Sequence, residues 1–364
     1  MNIESVKLIN FRNYSEASFH LAPFLNVIFG RNAIGKTNLL ESIYFAGLGK
    51  SPRVTQDKDL IMMGKDFAYI EIIVKKKYRK HKLEFHLDKK GKKRIAIDDI
   101  PLLKMSELIG FINIVYFSPD EMRLVKEAPE ERRRFMDISM SQRTKTYLYA
   151  LSKYNKILAQ RNKLLKSSFN EENLMRTLPV WDAQLAHEGA IIIASRRSFI
   201  KELEPIARAK HASLSSNAEQ LDMVYESEIG GDSIEEIEGI LLKRYADSYK
   251  KDMELRHTTV GPHRDDIKLM VNDIDIRKFG SQGQQRTTAL ALKLAEIDGF
   301  TTDSGETPIL LLDDVLSELD LTRQKALLDA TSGIQTFLTC TEFDRVHLGD
   351  SANFIPLPLD KYYE

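Results

Sequence analysis

The sequence predicts an α/β lobe assembled from both ends of the chain, with a mainly helical lobe inserted between them. Residues 1–30 alternate apolar and polar, through Ile3, Val6, Leu8 and Phe11 and then Leu25, Val27 and Phe29. From Thr258 onward the pattern is again strand, turn and helix. After Pro119 the intervening stretch repeats its apolar residues at helical spacing. The expected division is 1–116 with 256–364 for the α/β lobe, and 117–255 for a helical lobe with short antiparallel arms. At 364 residues the chain is long enough for two such lobes.

The elements follow in order. A helix is expected from Gly35 to about Leu48. Residues 68–75 and 81–87 read as a hairpin joined by a basic turn, and 89–92 as a second turn into a strand at 94–97. Residues 144–167 place Leu148, Leu151, Tyr154, Leu158 and Leu165 near one helix face. Residues 180–203 do the same with Trp181, Leu185, Ile192, Phe199 and Leu203, and Pro205 is expected to bend or end that helix. A polar turn at 167–173 would join two helices of roughly 36 Å each into an antiparallel hairpin. A strand at 221–226 and a helix at 233–250 complete the inserted lobe.

Composition sets the outer bounds. The chain is 43% apolar and 29% charged, as ordinary globular domains are. Lys plus Arg and Asp plus Glu both total 53, so net charge argues neither for nor against a nucleic-acid partner. The single cysteine, Cys340, excludes an intrachain disulfide and a multi-cysteine zinc site. The first residues lack a basic flank followed by an apolar stretch, so they do not read as a secretion signal. No apolar run approaches a membrane span. The expectation is a soluble cytoplasmic protein with no membrane partner.

Residues 30–37 read Gly-Arg-Asn-Ala-Ile-Gly-Lys-Thr, which is G-x-x-x-x-G-K-[ST] between an apolar strand and a helix. Gly30 and Gly35 let the backbone turn tightly, so that the N–H groups of Arg31, Asn32, Ala33, Ile34 and Asn38 converge with the helix start on one anion. Lys36 is placed for the β- and γ-phosphates of ATP, and Thr37 for Mg²⁺. Residues 308–314, Pro-Ile-Leu-Leu-Leu-Asp-Asp, read as a fully buried parallel strand with acids at its carboxyl end. Asp313 there is a candidate Mg²⁺ ligand through a water, and Asp314 a candidate base for an attacking water. Lys36 and Asp314 are thus the candidate catalytic pair. Alone, the acidic strand end is as readily a solvated turn; with the loop upstream it becomes specific.

Residues 281–284, Ser-Gln-Gly-Gln, open another helix. Ser281 suits an N-cap, and Gly283 frees N–H groups in the first turn, which makes a second anion site. In isolation this is a polar helix start. The order of phosphate loop, Ser281-Gln282-Gly283-Gln284, acidic strand and Ser317-Glu-Leu-Asp320 resembles the Walker A, signature, Walker B and D-loop of ATP-binding-cassette ATPases. The resemblance implies a P-loop ATPase head and an ATP-dependent homodimer, in which the signature of one chain closes over the ATP of the other.

The opening Leu8-Ile-Asn-Phe-Arg-Asn-Tyr14 is similar to that of DNA-repair and chromosome-maintenance members. Further likeness lies in Phe117-Ser-Pro-Asp120, Pro129-Glu-Glu-Arg-Arg-Arg-Phe-Met-Asp137, Thr259-Val-Gly-Pro-His-Arg-Asp-Asp266 and Leu312–Asp320. Together these resemble the RecF family over nearly the whole chain. The resemblance implies a weak, DNA-stimulated ATPase that binds double-stranded DNA and single-strand/double-strand junctions. It also implies work with RecO and RecR in loading recombinase, in replication restart and in the SOS response, and a contact of Arg12 with nucleotide phosphates. Asp314 stands where most cassette ATPases carry Glu, and its shorter side chain predicts slow turnover. The competing reading is the nucleotide-binding subunit of a transport-type cassette ATPase, though the junction 115–120 carries no glutamine where transporters have one.

Two basic stretches are candidate DNA contacts: Lys75, Lys76 and Lys77 in one, Lys89, Lys92 and Lys93 in the other. Charged protection of a sheet edge explains either stretch about as well. Their closeness in a chain of zero net charge favours phosphate contact, with both facing one cleft. For Arg132, Arg133 and Arg134 a surface helix pair with Glu130 and a functional role weigh equally. His263 and Arg264 follow a Gly-Pro turn with no assigned role.

Overall fold

The structure, a computed structural model, describes residues 1–167, 171–341 and 352–357. The chain divides into two compact units, Met1–Glu121 with Leu290–Glu364, and Met122–Ala289. The first crossing lies close to the expected 116/117. The second lies well beyond the expected 255/256, because strand Asp266–Val271 pairs with Leu221–Glu226 and Arg132 clasps Asp266, which keeps 256–289 with the inserted lobe.

The first unit holds two sheets. In the antiparallel one the strand order is 14–20, 2–11, 67–75, 80–88, 93–97 and 100–101. In the parallel one it is 353–356, 25–29, 336–340, 309–313 and 114–117. Helix Lys36–Leu48 is buried almost all round and touches strands of both sheets, which explains its lack of a polar face. Phe45 meets Phe85 of one sheet edge-on at 5.6 Å, and Tyr44 meets Tyr116 of the other at 5.3 Å. Gly47 permits the close approach, since a Cβ there would lie 2.4 Å from Ile114 Cδ1. The buried Gln335 side chain ties the layers together. It accepts from Ile3 N at 2.6 Å and donates to the carbonyls of Ile3 and Ala22, both at 2.7 Å.

The second unit is built on helices Lys145–Ser167, Glu171–Leu214 and Ile234–Leu255 with a three-stranded antiparallel sheet. The expected helix at 180–203 runs farther at both ends, and Pro205 does not end it. Each internal proline costs about 3 kcal/mol of helix. Burial of Leu174, Leu178, Ala207 and Leu214 along the extensions offsets that cost. Of the expected turn, residues 167 and 171–173 are helical, and 168–170 lie outside those described.

Three buried arginines fasten the segment 252–266. Arg161 donates to Asp182 and Asp252, both at 2.6 Å, and to Thr258 Oγ1 at 2.9 Å. Arg196 binds Asp137 at 2.7 Å, the Pro262 carbonyl at 2.7 Å and the Tyr147 hydroxyl at 2.9 Å. Arg132 grips Asp266 with two bonds, 2.6 and 2.9 Å. Arg133 donates to the Asp265 carbonyl at 2.7 Å, and Arg134 reaches Glu131 at 3.8 Å instead of Glu130. Two of that arginine cluster are therefore structural. His263 sits between the Tyr154 hydroxyl at 2.7 Å and the Thr258 carbonyl at 3.1 Å, and burial lowers its pKa to about 4.

Arg161→Leu leaves Asp252 and Asp182 without their cation and should destabilise the second unit by roughly 3–5 kcal/mol, read by urea unfolding. His263 should make stability fall on acidification. The unfolded chain takes up its proton near 6.5 and the folded chain only near 4. The contribution is therefore full above 6.5 and is lost as pH drops toward 4, by at most roughly 3 kcal/mol before discounting for partial exposure. His263→Gln should flatten that part of the stability profile between pH 7 and 4.

Candidate nucleotide site

The loop after strand Leu25–Phe29 turns through positive φ at Gly30 (144°), Ala33 (67°) and Gly35 (109°). A Cβ on Gly35 would lie 2.7 Å from Asn13 Nδ2 and 2.9 Å from the Tyr14 hydroxyl, so only glycine fits. Asn13 donates to the Ile34 carbonyl at 3.1 Å and Tyr14 to the Gly35 carbonyl at 2.9 Å. With its carbonyls held from one side, the loop is a rigid cradle at a helix N-terminus. Arg31, Asn32 and Ala33 are exposed on it. Lys36 donates to the Gly30 and Arg31 carbonyls at 2.5 and 2.9 Å. Burial lowers its pKa against the opposing pull of Asp314, Cys340 and Asp313. Burial in turn pushes the Cys340 thiol up to about 11.

Asp313, at the buried end of strand Ile309–Asp313, gathers three hydroxyls. Thr37 and Thr339 reach its Oδ1 at 2.9 and 2.8 Å, and Tyr116 its Oδ2 at 3.2 Å. Burial and the Asp313 charge raise the Tyr116 phenol, keeping it a donor. Asp314, the next residue, is exposed and left-handed (φ 53°), and its N–H donates to Thr339 Oγ1 at 2.9 Å. The Ser317 hydroxyl donates to the Asp314 carbonyl at 2.8 Å. Asp320 caps helix Leu321–Ala330, accepting from Arg323 N at 2.9 Å. That bond first, and the Arg323 charge with it, holds its carboxyl below the usual range. The structure thus brings together Lys36, Thr37, Asp313 and Asp314, across 278 positions of sequence.

Arg12, expected to contact nucleotide phosphates, has part of its guanidinium engaged within the fold. It binds the buried Glu41 through Nε at 2.8 Å and Nη2 at 2.6 Å, and the Asp59 carbonyl through Nη1 at 2.9 Å. Asn38 donates to Asn13 Oδ1 at 2.7 Å. Sequence reading missed Thr339, Tyr116, Asn13 and Tyr14. Thr339 carries no comparable signal in the sequence, and parallel register sets it opposite Asp313.

In the second unit, Ser281 and Gln284 cap each other at the start of helix Gln282–Ser304. Gln284 N donates to Ser281 Oγ at 3.2 Å, and Ser281 N to Gln284 Oε1 at 3.0 Å. The Gln284 amide is further fixed on Glu219 at 2.9 Å. The first-turn N–H groups of Gln282 and Gly283 have no carbonyl of their own helix to bind.

The basic residues separate into two kinds. Lys76 donates to the Phe111 carbonyl at 3.0 Å and lies over its ring, and Lys93 donates to Gly49 O and Asp57, both at 2.6 Å. Both ammonium groups hold the fold together. Lys75, Lys77, Lys89 and Lys92 are exposed. The turns that carry them lie at opposite ends of strand Lys80–Asp88, about 30 Å apart at 3.4 Å per residue, so a single partner that meets both must span that length.

Over residues 2–351 the chain matches the RecF/RecN/SMC N terminal domain. It is 47% identical over 346 residues to the DNA replication and repair protein RecF of Agathobacter rectalis, covering 94% of this chain and 93% of that one. Among solved structures it is similar to the recombination mediator protein RecF-ATPrS in the RecFOR pathway. The TM-score is 0.89 at 34% identity, covering 97% of this chain and 96% of that chain. It is also similar to RecF-ATP in the same pathway, with TM-score 0.87 at 34% identity, covering 94% and 92%. At this identity over nearly its full length the chain belongs to the RecF family, and its fold is that family's P-loop ATPase head of the ATP-binding-cassette type.

Proposed function

We propose that the chain is an ATP-switched homodimer that clamps duplex DNA in DNA replication and repair. The observation that carries this reading is the 2.9 Å contact of Thr37 with Asp313, which joins the head of the phosphate loop to the acidic strand end. The similarity to a RecF described with ATP supports it. In this reading the loop N–H groups and Lys36 hold the phosphates, while Thr37 and Asp313 hold Mg²⁺. Among the described residues there is no cluster of three His, Cys, Asp or Glu side chains, so phosphates and water would complete the shell of the ion. The ion would supply charge neutralisation on the β- and γ-oxygens.

Asp314 is the proposed base. Its exposed, left-handed position and short side chain suit slow, DNA-stimulated turnover that times a switch. Ser281 is the proposed γ-phosphate contact in trans. Its cap uses a lone pair of Oγ and leaves the O–H to donate, beside the N–H groups of Gln282 and Gly283. Loss of the γ-phosphate would remove these contacts and open the dimer. Ser317 and Asp320 are proposed to line the same dimer face. Engagement of single-strand/double-strand junctions, work with RecO and RecR in loading recombinase, support of the SOS response and a cytoplasmic location complete the reading. Among the described residues no helix is long and apolar enough to cross a membrane.

Sedimentation with ATP, Mg²⁺ and duplex DNA should show a dimer for the wild type. Lys36→Met should lose nucleotide and stay monomeric. Ser281→Arg should keep nucleotide and stay monomeric; a dimer from that variant removes the trans contact. For DNA, neutralising Lys75, Lys77, Lys89 and Lys92 together should flatten the log–log salt dependence of binding by about 0.9 for each phosphate left unneutralised. An unchanged slope makes them solvated sheet edges. Lys76→Gln and Lys93→Gln should lower the melting temperature instead of the slope.

A further inference from the structure

We propose that Thr339 is a positioning residue that sets both acids of the pair Asp313–Asp314 through its single hydroxyl. The inference rests on the ATPase reading and deepens it.

Hydrogen-bond directions at this hydroxyl are forced. The Asp314 amide can only donate, and it does so to Thr339 Oγ1 at 2.9 Å. An ionised carboxylate can only accept, so the one Thr339 proton goes to Asp313 Oδ1 at 2.8 Å. The amide that donates belongs to the peptide joining the two acids. One oxygen therefore bridges the last buried residue of the strand and the first exposed residue after it. That peptide leads into Asp314 at φ 53°, the left-handed region that aspartate adopts more readily than most side chains and that a fixed amide helps to hold.

Three features make Thr339 suited to the task. It is 1% exposed, so water does not compete for either bond. It is β-branched and stiff at χ1, so strand Thr336–Cys340 fixes where its hydroxyl lies. It stands opposite Asp313 in the parallel register. The other hydroxyls on Asp313 do less. Thr37 is the residue proposed to serve the metal, and Tyr116 reaches only Oδ2, at 3.2 Å. Neither has a bond to Asp314.

The test is Thr339→Val, which keeps shape and removes the hydroxyl, beside Thr339→Ala in case Val does not fit, and Thr339→Ser. Steady-state ATP turnover, affinity for a fluorescent ATP analogue, the Mg²⁺ midpoint of analogue binding and melting temperature are measured on the full chain. Val and Ala should lower kcat by about tenfold or more, with KM for ATP within about threefold, because the hydroxyl orients the reacting groups and does not hold the nucleotide. Their Mg²⁺ midpoint should rise, their melting temperature should fall by a few degrees because a buried acid and an amide each lose a partner, and Ser should restore most of kcat and of the melting temperature. Turnover by Val or Ala at the wild-type rate, or a Ser variant as slow as Val, overturns the inference and leaves the ATPase reading standing. A wild type that neither binds nor hydrolyses ATP overturns that reading, and this inference with it.

Discussion

The carboxylate of Asp313 is the constraint on which the first unit depends. A buried carboxylate must be met by donors, and this one is met from three distant parts of the chain: Thr37, Tyr116 and Thr339. These bonds join strand Ile309–Asp313 to the head of helix Lys36–Leu48 and to both neighbouring strands of the parallel sheet. The cradle is therefore a product of sheet register before it is a product of the glycine-rich loop. A one-residue slip of 309–313 against 336–340 would carry Thr339 away from Asp313 and leave the acid buried without its partners.

The second unit meets the same problem with cations. Arg132, Arg161 and Arg196 are each buried, and each sends at least one bond into the segment 252–266. This gives structural work to Thr259-Val-Gly-Pro-His-Arg-Asp-Asp266. Thr259 donates twice to Asp252, Pro262 offers its carbonyl to Arg196, His263 meets Tyr154, Tyr225 donates to Asp265, and Asp266 takes Arg132. Buried ion pairs stabilise little relative to an apolar core, yet losing one partner is costly. The lattice therefore resists piecemeal change and fixes one arrangement of the strand Asp266–Val271 against the long helices.

Local chemistry was legible from the residues, and long-range satisfaction was not. The phosphate loop, the buried acidic strand and the Ser281 cap each signal through neighbours within a few positions, and each lies where those neighbours put it. The hairpin 67–88 was equally plain from its alternation. The course of helix Glu171–Leu214 through Pro179 and Pro205 was hidden, because burial along its length outweighs the proline cost and only tertiary packing reveals that. The lysines were misread in part for a similar reason. Lys76 and Lys93 look like their neighbours in sequence, but their ammonium groups find the Phe111 and Gly49 carbonyls across the fold. The boundary near 289 was hidden because the strand at 266–271 finds its partner at 221–226, not among the later strands.

Arg12 is a strut between the turn at 10–14 and the helix that opens with Lys36. Its guanidinium has five N–H groups, and three are taken by Glu41 and the Asp59 carbonyl. Glu41 is 1% exposed and lies on the helix that opens with Lys36, so Arg12, with Arg53 at 3.6 Å and the Ser51 hydroxyl at 2.5 Å, lets this acid be buried there. The adjacent Asn13 and Tyr14 hold the loop carbonyls of Ile34 and Gly35. The turn at 10–14 is thus fastened to the helix below the loop and to the loop itself, and it fixes the height of the cradle. Any phosphate contact by Arg12 must use the two remaining N–H groups.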